Sequence, residues 1–258
     1  KKSLDARDKG NIFYVYTIEF AAKELSSAQI ESALERLPKE KQPDKNKPVL
    51  IVGAGPAGLF CALRLLKRGI APLLIERGES VERREKTLRT FHETGVLNTE
   101  SNVSFGEGGA GTFSDGKLNT GTKDVRHRYI LEEFAAFGAS EDILIDAKPH
   151  IGTDRLYIVL QNLRQELLSL GAEVRFNHQV TGLERRDGRL AALRVTSPDG
   201  TYTFPAEHAV LAVGHSARDT FAMLRDAGIP MEPKPFAVGV RIEHRQSDMD
   251  AQQYKQYA

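Results

Sequence analysis

Val49-Leu50-Ile51-Val52-Gly53-Ala54-Gly55-Pro56-Ala57-Gly58 decides how the chain folds. Four consecutive apolar residues read as a parallel strand buried on both faces. The next six match Gly-x-Gly-x-x-Gly, and apolar spacing from about Ala57 to Lys67 predicts a helix that stops near Gly69. Leu73-Leu74-Ile75 reads as a second buried strand, which completes a β-α-β unit. Glu76 stands 23 positions after Gly53, near the ~20 expected of an acid that meets a ribose diol. Gly53 serves the tight turn, Gly55 the close approach of backbone to a pyrophosphate, and Gly58 the packing of helix on strand. Such a unit holds a dinucleotide, with the pyrophosphate on unpaired N–H groups at the positive end of the helix. Glu76 repels a 2′-phosphate, which argues against NADP at this turn.

Upstream, residues 11–20 are rich in β-branched and aromatic residues and predict a strand. Ser27 is placed to cap a helix over Ala28 to Leu37, and the proline- and charge-rich stretch 38–48 reads as a linker. Residues 1–47 are therefore expected to be the remnant of a small α+β domain with its linker. Downstream, helical periodicity covers 125–137 and 154–170, the latter capped by Thr153 or Asp154. Val174 to Phe176 reads as a strand. Segments 180–185, 190–196 and 201–204 alternate and are punctuated by Asp187-Gly188 and Asp199-Gly200, which predicts an antiparallel β-meander. Ala209 to Val213 reads as a further buried strand ending at Gly214. Ligands of open α/β sheets sit at the carboxyl ends of strands. The fold class is thus α/β: a Rossmann-like parallel sheet with a β-meander over about 48–220, carrying a helical insertion at about 122–150. Residues 221–258 read as the start of a further, substrate-binding domain, with a strand from Phe236 to Glu243.

Gly106-Glu107-Gly108-Gly109-Ala110-Gly111 satisfies the glycine pattern a second time. No buried strand precedes it and no apolar helix follows. It reads as a loop whose backbone comes close to something flat or anionic.

Lys and Arg number 36 and Asp and Glu 35, so among 258 residues the net charge is +1. With no basic tract, a nucleic-acid partner is not expected. The single cysteine, Cys61, excludes an internal disulfide and dithiol-relay chemistry, and reads as core packing. The uncharged run Pro48 to Leu63 has 16 residues, short of the ~20 a membrane span needs. No metal-ligand spacing and no Gly-x-Ser-x-Gly elbow occur. The chain opens Lys1-Lys2-Ser3 without an apolar leader, so a cytoplasmic location and a piece of a longer chain are expected.

Gly53 to Gly58, then Glu76-Arg77-Gly78, a β-meander, and Ala212-Val213-Gly214 follow in an order that resembles FAD-binding proteins of the glutathione-reductase-like class. More narrowly, Asn102 to Gly121, Ser3 to Arg7 with Tyr14-Val15-Tyr16, and Ala212 to Asp219 resemble uncharacterised bacterial FAD-dependent dehydrogenases, also called NAD(P)/FAD-dependent oxidoreductases. The resemblance implies a flavoenzyme passing hydride or electrons through FAD, with NAD(P)H a possible donor and the substrate or electron acceptor unknown. It implies that Gly53, Ala54, Gly55, Pro56, Ala57 and Gly58 hold the pyrophosphate, Glu76 the ribose, and Arg77 and Arg84 phosphate or ribose. Val180 is implied at adenine through its backbone. Gly108, Gly109, Ala110, Gly111 and Thr112 are implied between pyrophosphate and flavin, and Ala212, Val213 and Gly214 beside the dinucleotide. Lys117 is a candidate donor to the flavin ring and His215 a candidate acid or base; His150 and His127 have less support, and no catalytic residue is assigned. The late Gly-Asp strand end of the class does not occur before Ala258, so retention of FAD by this chain stays open. The alternatives are an NAD-dependent dehydrogenase and a nucleotide-binding module without turnover, including an RNA-associated flavoprotein.

Overall fold

The computed structural model describes residues 2–5, 7, 12–18, 48–113, 116–118, 120–122, 124–235, 238–240 and 242–255. β1 (Lys2–Asp5) pairs antiparallel with β2 (Phe13–Tyr16), Lys2 opposite Tyr16. The helix expected over 28–37 lies outside the described residues.

The expected β-α-β unit is present. β3 (Val49–Val52) leads through α1 (Pro56–Leu66) to β4 (Pro72–Ile75), parallel to β3. α2 (Val81–Thr94), α3 (Arg126–Ala136) and α4 (Thr153–Ser169) follow, then β5 (Glu173–Arg175), parallel to β4. The meander is β6 (Gln179–Arg186), β7 (Arg189–Ser197) and β8 (Gly200–Pro205), antiparallel throughout. β9 (Ala209–Leu211) returns to pair in parallel with β3, giving the strand order β5-β4-β3-β9. α5 (Arg218–Asp226) and α6 (Gln246–Tyr254) complete the elements.

The continuous apolar runs have a plain cause. Alternate residues of a strand face opposite sides. Ile51 and Leu74 pack among Leu59, Leu63, Phe134 and Leu163 of the helices, while Leu50, Val52, Leu73 and Ile75 pack against Val180, Leu193 and Val195 of the meander. The sheet is therefore the middle of three layers, and both its faces are apolar.

The first meander turn follows its dipeptide: Asp187 and Gly188 both take positive φ, 53° and 76°, as a two-residue hairpin with right-handed twist requires. Three expectations are corrected. β9 is not buried on both faces, because it meets only β3 and stands at the sheet edge, leaving Val210 36% and Leu211 43% exposed. The cap of α4 is neither Thr153 nor Asp154 but Gly152 at φ 84°, and these two residues fall inside the first turn. In 236–243, the described residues 238–240 and 242–243 form no strand; Val238, Val240 and Ile242 stand exposed, and among the described residues no strand pairs with them. α2 was not expected at all: it is charge-rich and buries only Val81, Arg84 and Leu88.

Candidate functional site

The β3–α1 turn carries the site. Gly53 sits at φ 107°, and a Cβ there would fall 2.4 Å from the Ala212 carbonyl oxygen, where the chain leaving β9 crosses the turn. A Cβ on Gly58 would fall 1.9 Å from the Gly53 carbonyl oxygen. Gly55 differs: its Cβ would meet nothing nearer than the Gly109 Cα at 3.9 Å. Pro56 stands at the start of α1, and no acidic residue occupies that first turn. The helix therefore presents an uncompensated positive end.

Glu76, at the carboxyl end of β4, is 5% exposed. Its Oε2 accepts from the Ala54 N–H at 2.7 Å, and its Oε1 accepts from the N–H groups of Gly78 and Gly106 at 2.9 and 3.0 Å. A carboxylate offers about four lone-pair sites, so three are taken by backbone and one is left. Glu76 thus ties the first glycine turn to the second glycine loop before it meets any ligand. The Gly108 N–H adds a bond to the Ala54 carbonyl at 2.8 Å. The second Gly-x-Gly-x-x-Gly is the opposite lip of the first.

These parts enclose a cavity of about 430 Å³ at the carboxyl ends of β3, β4 and β9. Of the residues singled out from the sequence, Gly53, Gly55, Pro56, Ala57, Glu76, Arg77, Gly109, Ala110, Val180, Ala212, Val213, Gly214 and His215 line it. Ala54 lies beneath the turn, wholly buried, and Gly58 is spent on helix packing. Gly108, Gly111, Thr112, Lys117 and Arg84 are not on the cavity wall, and neither are Cys61, His127 or His150. Arg84 is wholly buried and gives its donors to the second loop. Lys117 is exposed and its backbone bridges His150.

Arg77 borders the cavity with its charge already matched. It donates to Glu100 at 2.9 and 2.7 Å and to Asp219 at 2.9 and 2.9 Å, and its guanidinium lies 4.3 Å above the Phe105 ring. Phe105, His178, Gln179 and Phe221 also line the cavity and were not singled out as site residues. Phe105 stands inside the distinctive 102–121 segment. His178 and Gln179 carry no local signature; the His178 N–H donates to the Glu76 carbonyl at 2.9 Å, which holds the start of β6 beside the end of β4.

Glu107 is wholly buried behind the second loop. Its Oε2 accepts from the Val81 N–H at 2.8 Å and from Arg164, and its Oε1 has no hydrogen-bond partner. Burial outweighs the pull of Arg164 and pushes this acid up from 4.5 to about 7. Between those values the folded chain keeps a proton that the unfolded chain has lost, so stability falls as pH rises through that window. Glu107→Gln carries no such proton and is expected to flatten this part of the pH dependence and to raise the thermal midpoint above pH 7. Parallel slopes for wild type and variant between pH 5 and 7 would refute the assignment.

Among the described residues, no His, Cys, Asp and Glu side chains gather to hold a metal ion, and no helix is long and apolar enough to cross a membrane.

Comparison with known proteins follows the same lines. Residues 46–222 match the family described as FAD binding domain. An uncharacterized protein of Clostridium beijerinckii is 42% identical over 98% of this chain and 49% of its own length. The 12-dehydrotetracycline 5-monooxygenase/anhydrotetracycline 6-monooxygenase of Streptomyces rimosus is 29% identical over 74% of this chain and 35% of its own. The crystal structure of Thermovibrio ammonificans THI4 aligns with a TM-score of 0.47 at 20% identity, over 81% of this chain and 73% of that one. The chain thus spans about half the length of the first of these relatives and about a third of the second. With the match running from the linker through the meander to α5 and enclosing the whole cavity, the chain belongs to the FAD-binding domain family, and FAD is its cofactor.

Proposed function

We propose that this chain is the FAD-holding part of an FAD-dependent oxidoreductase. The observation that carries the reading is the cavity wall: two glycine turns face one another, with the uncapped end of α1 between them. The fit is steric as well as electrostatic, because a side chain at Gly55 would project into the space a pyrophosphate needs. The strand order changes direction at β3, between β4 and β9, and this is where ligands of a Rossmann-like sheet bind. A glutathione-reductase-like arrangement is part of the same proposal.

The backbone N–H groups of Gly55 and Ala57 would hold the pyrophosphate, while Gly53, whose own N–H already donates to the Ile75 carbonyl at 2.7 Å, and Pro56, which has none, would shape the turn around it. The one uncommitted acceptor site of Glu76 would take a ribose hydroxyl, and Val180 would flank the adenine. Ala212 to Gly214 would run beside the dinucleotide. Bound FAD supplies two-electron redox chemistry, and the protein's part is to bind, orient and shield it. His215, at the cavity rim, is the nearest of the sequence candidates for moving a proton.

A dehydrogenase is the first form of this reading. A monooxygenase is the second, favoured by the relative from Streptomyces rimosus. Substrate, donor and acceptor are assigned by neither.

The test is a visible absorption spectrum of the purified chain before and after adding FAD and desalting, repeated on a longer chain that contains it. A retained flavin band that bleaches with a reductant is the expected result. Flavin in the longer chain alone places part of the retaining contacts outside residues 1–258. Flavin in neither refutes the proposal. Oxygen incorporated into a product, rather than hydride passed to an acceptor, selects the second form.

A further inference from the structure

We infer that Arg84 is a positioning residue for the cofactor, acting through the second glycine loop; this rests on the FAD reading above. Arg84 lies on α2 with no exposed surface. Its Nε donates to the Asn102 carbonyl at 2.8 Å and its Nη2 to the Val103 carbonyl at 3.1 Å. Its Nη1 donates to the Glu107 carbonyl at 2.7 Å and to the Thr112 hydroxyl at 3.2 Å. One planar fork thus gathers both ends of the loop 102–112 onto a helix that does not itself touch the cavity. The loop closes tightly on it: a Cβ on Gly106, which takes φ 117°, would fall 2.5 Å from the Arg84 Cδ. That same Gly106, with Gly109 and Ala110, forms the cavity wall opposite Gly55.

The cost of this arrangement argues for a purpose. A buried guanidinium is strongly disfavoured by desolvation unless its donors are satisfied, and burial lowers Arg84 to about 10. The acceptors that satisfy it are main-chain carbonyls of a glycine-rich segment whose flexibility would otherwise have to be lost on binding. Arg84 orders that segment in advance, so the cofactor need not.

Lysine cannot substitute. A single ammonium lacks the spread of donors to reach the carbonyls of Asn102, Val103 and Glu107 together. In whichever chain retains flavin, Arg84→Lys is expected to raise the FAD dissociation constant by about tenfold or more while the circular dichroism of the cofactor-free protein is unchanged. Arg84→Ala is expected to lose affinity further and to regain it on adding millimolar guanidinium ion, but not ethylammonium. A general loss of stability does not respond in that way, since guanidinium lowers stability. Thr112→Val removes one acceptor of Arg84 together with the hydroxyl's own contacts to the Glu107 and Gly109 carbonyls, both at 3.1 Å, and is expected to shift affinity in the same direction by less; wild-type affinity there counts against the inference if the Arg84 variants do not fold. Wild-type affinity in folded Arg84→Lys, or in Thr112→Val where the Arg84 variants fail to fold, overturns the inference. So does an Arg84→Ala affinity that guanidinium leaves unchanged. Absence of flavin from both this chain and the longer chain that contains it, each without substitutions, refutes the underlying FAD reading instead, and is seen before any variant is made.

Discussion

Glu76→Ala is expected to lower the free energy of unfolding by about 3–9 kcal/mol, which for a domain of ordinary stability leaves little folded protein. The figure follows from what the carboxylate holds. Three backbone N–H groups, of Ala54, Gly78 and Gly106, end on its two oxygens at 2.7–3.0 Å in a site 5% exposed. Each such donor left buried without a partner costs about 1–3 kcal/mol. Glu76→Gln is expected to cost less, because a Gln oxygen in the Oε1 position keeps the bonds from Gly78 and Gly106. Its amide nitrogen then faces the Ala54 N–H, donor against donor. Urea unfolding of the three proteins checks the order. If the alanine variant is near wild type, Glu76 matters only to the ligand; equal losses in both variants would mean that the bonds from Gly78 and Gly106 contribute little.

Gly58→Val is expected to disrupt the β3–α1 unit and abolish FAD retention. The Cβ would stand 1.9 Å from the Gly53 oxygen and 3.3 Å from the Ile51 side chain, so α1 has to move off β3. Overpacking of this kind costs about 1–3 kcal/mol and sometimes more. Here the displacement also opens the turn that holds the pyrophosphate. Gly111→Ala is the control, since a Cβ there meets nothing within 4 Å and its φ is not positive. Both glycines close a Gly-x-Gly-x-x-Gly pattern, yet the expected outcomes are opposite. Thermal melting with a desalted flavin spectrum reads both effects. Equal tolerance would mean that the first turn is looser than its geometry indicates.

The contrast between those two glycines shows where sequence reading ends. The strand, turn and helix from Val49 to Leu66 were legible because their causes are local: an apolar run, a glycine turn and helical spacing within a few residues of each other. The meander was legible for the same reason, through alternation and turn dipeptides. α2 was not, because its buried face consists of Val81, Arg84 and Leu88 within a charge-rich segment, and an arginine gives no sign that it will be interior. Glu76 was legible as a member of the site but not as the knot between two glycine loops.

The amino-acid order alone therefore determined that a glycine turn joins β3 to α1, since an apolar run, closely spaced glycines and helical spacing are local signals, although the crowding that demands glycine at position 53 comes from the distant Ala212 carbonyl. Folding decided the rest. The second glycine motif became a wall of the same cavity, Arg84 gave its donors to the loop 102–112, and His178 bonded to the Glu76 carbonyl at the end of β4. Each of these rests on hydrogen bonds or packing between residues far apart in the chain. Only the assembled sheet, with its helices and meander in place, brings those groups within bonding distance.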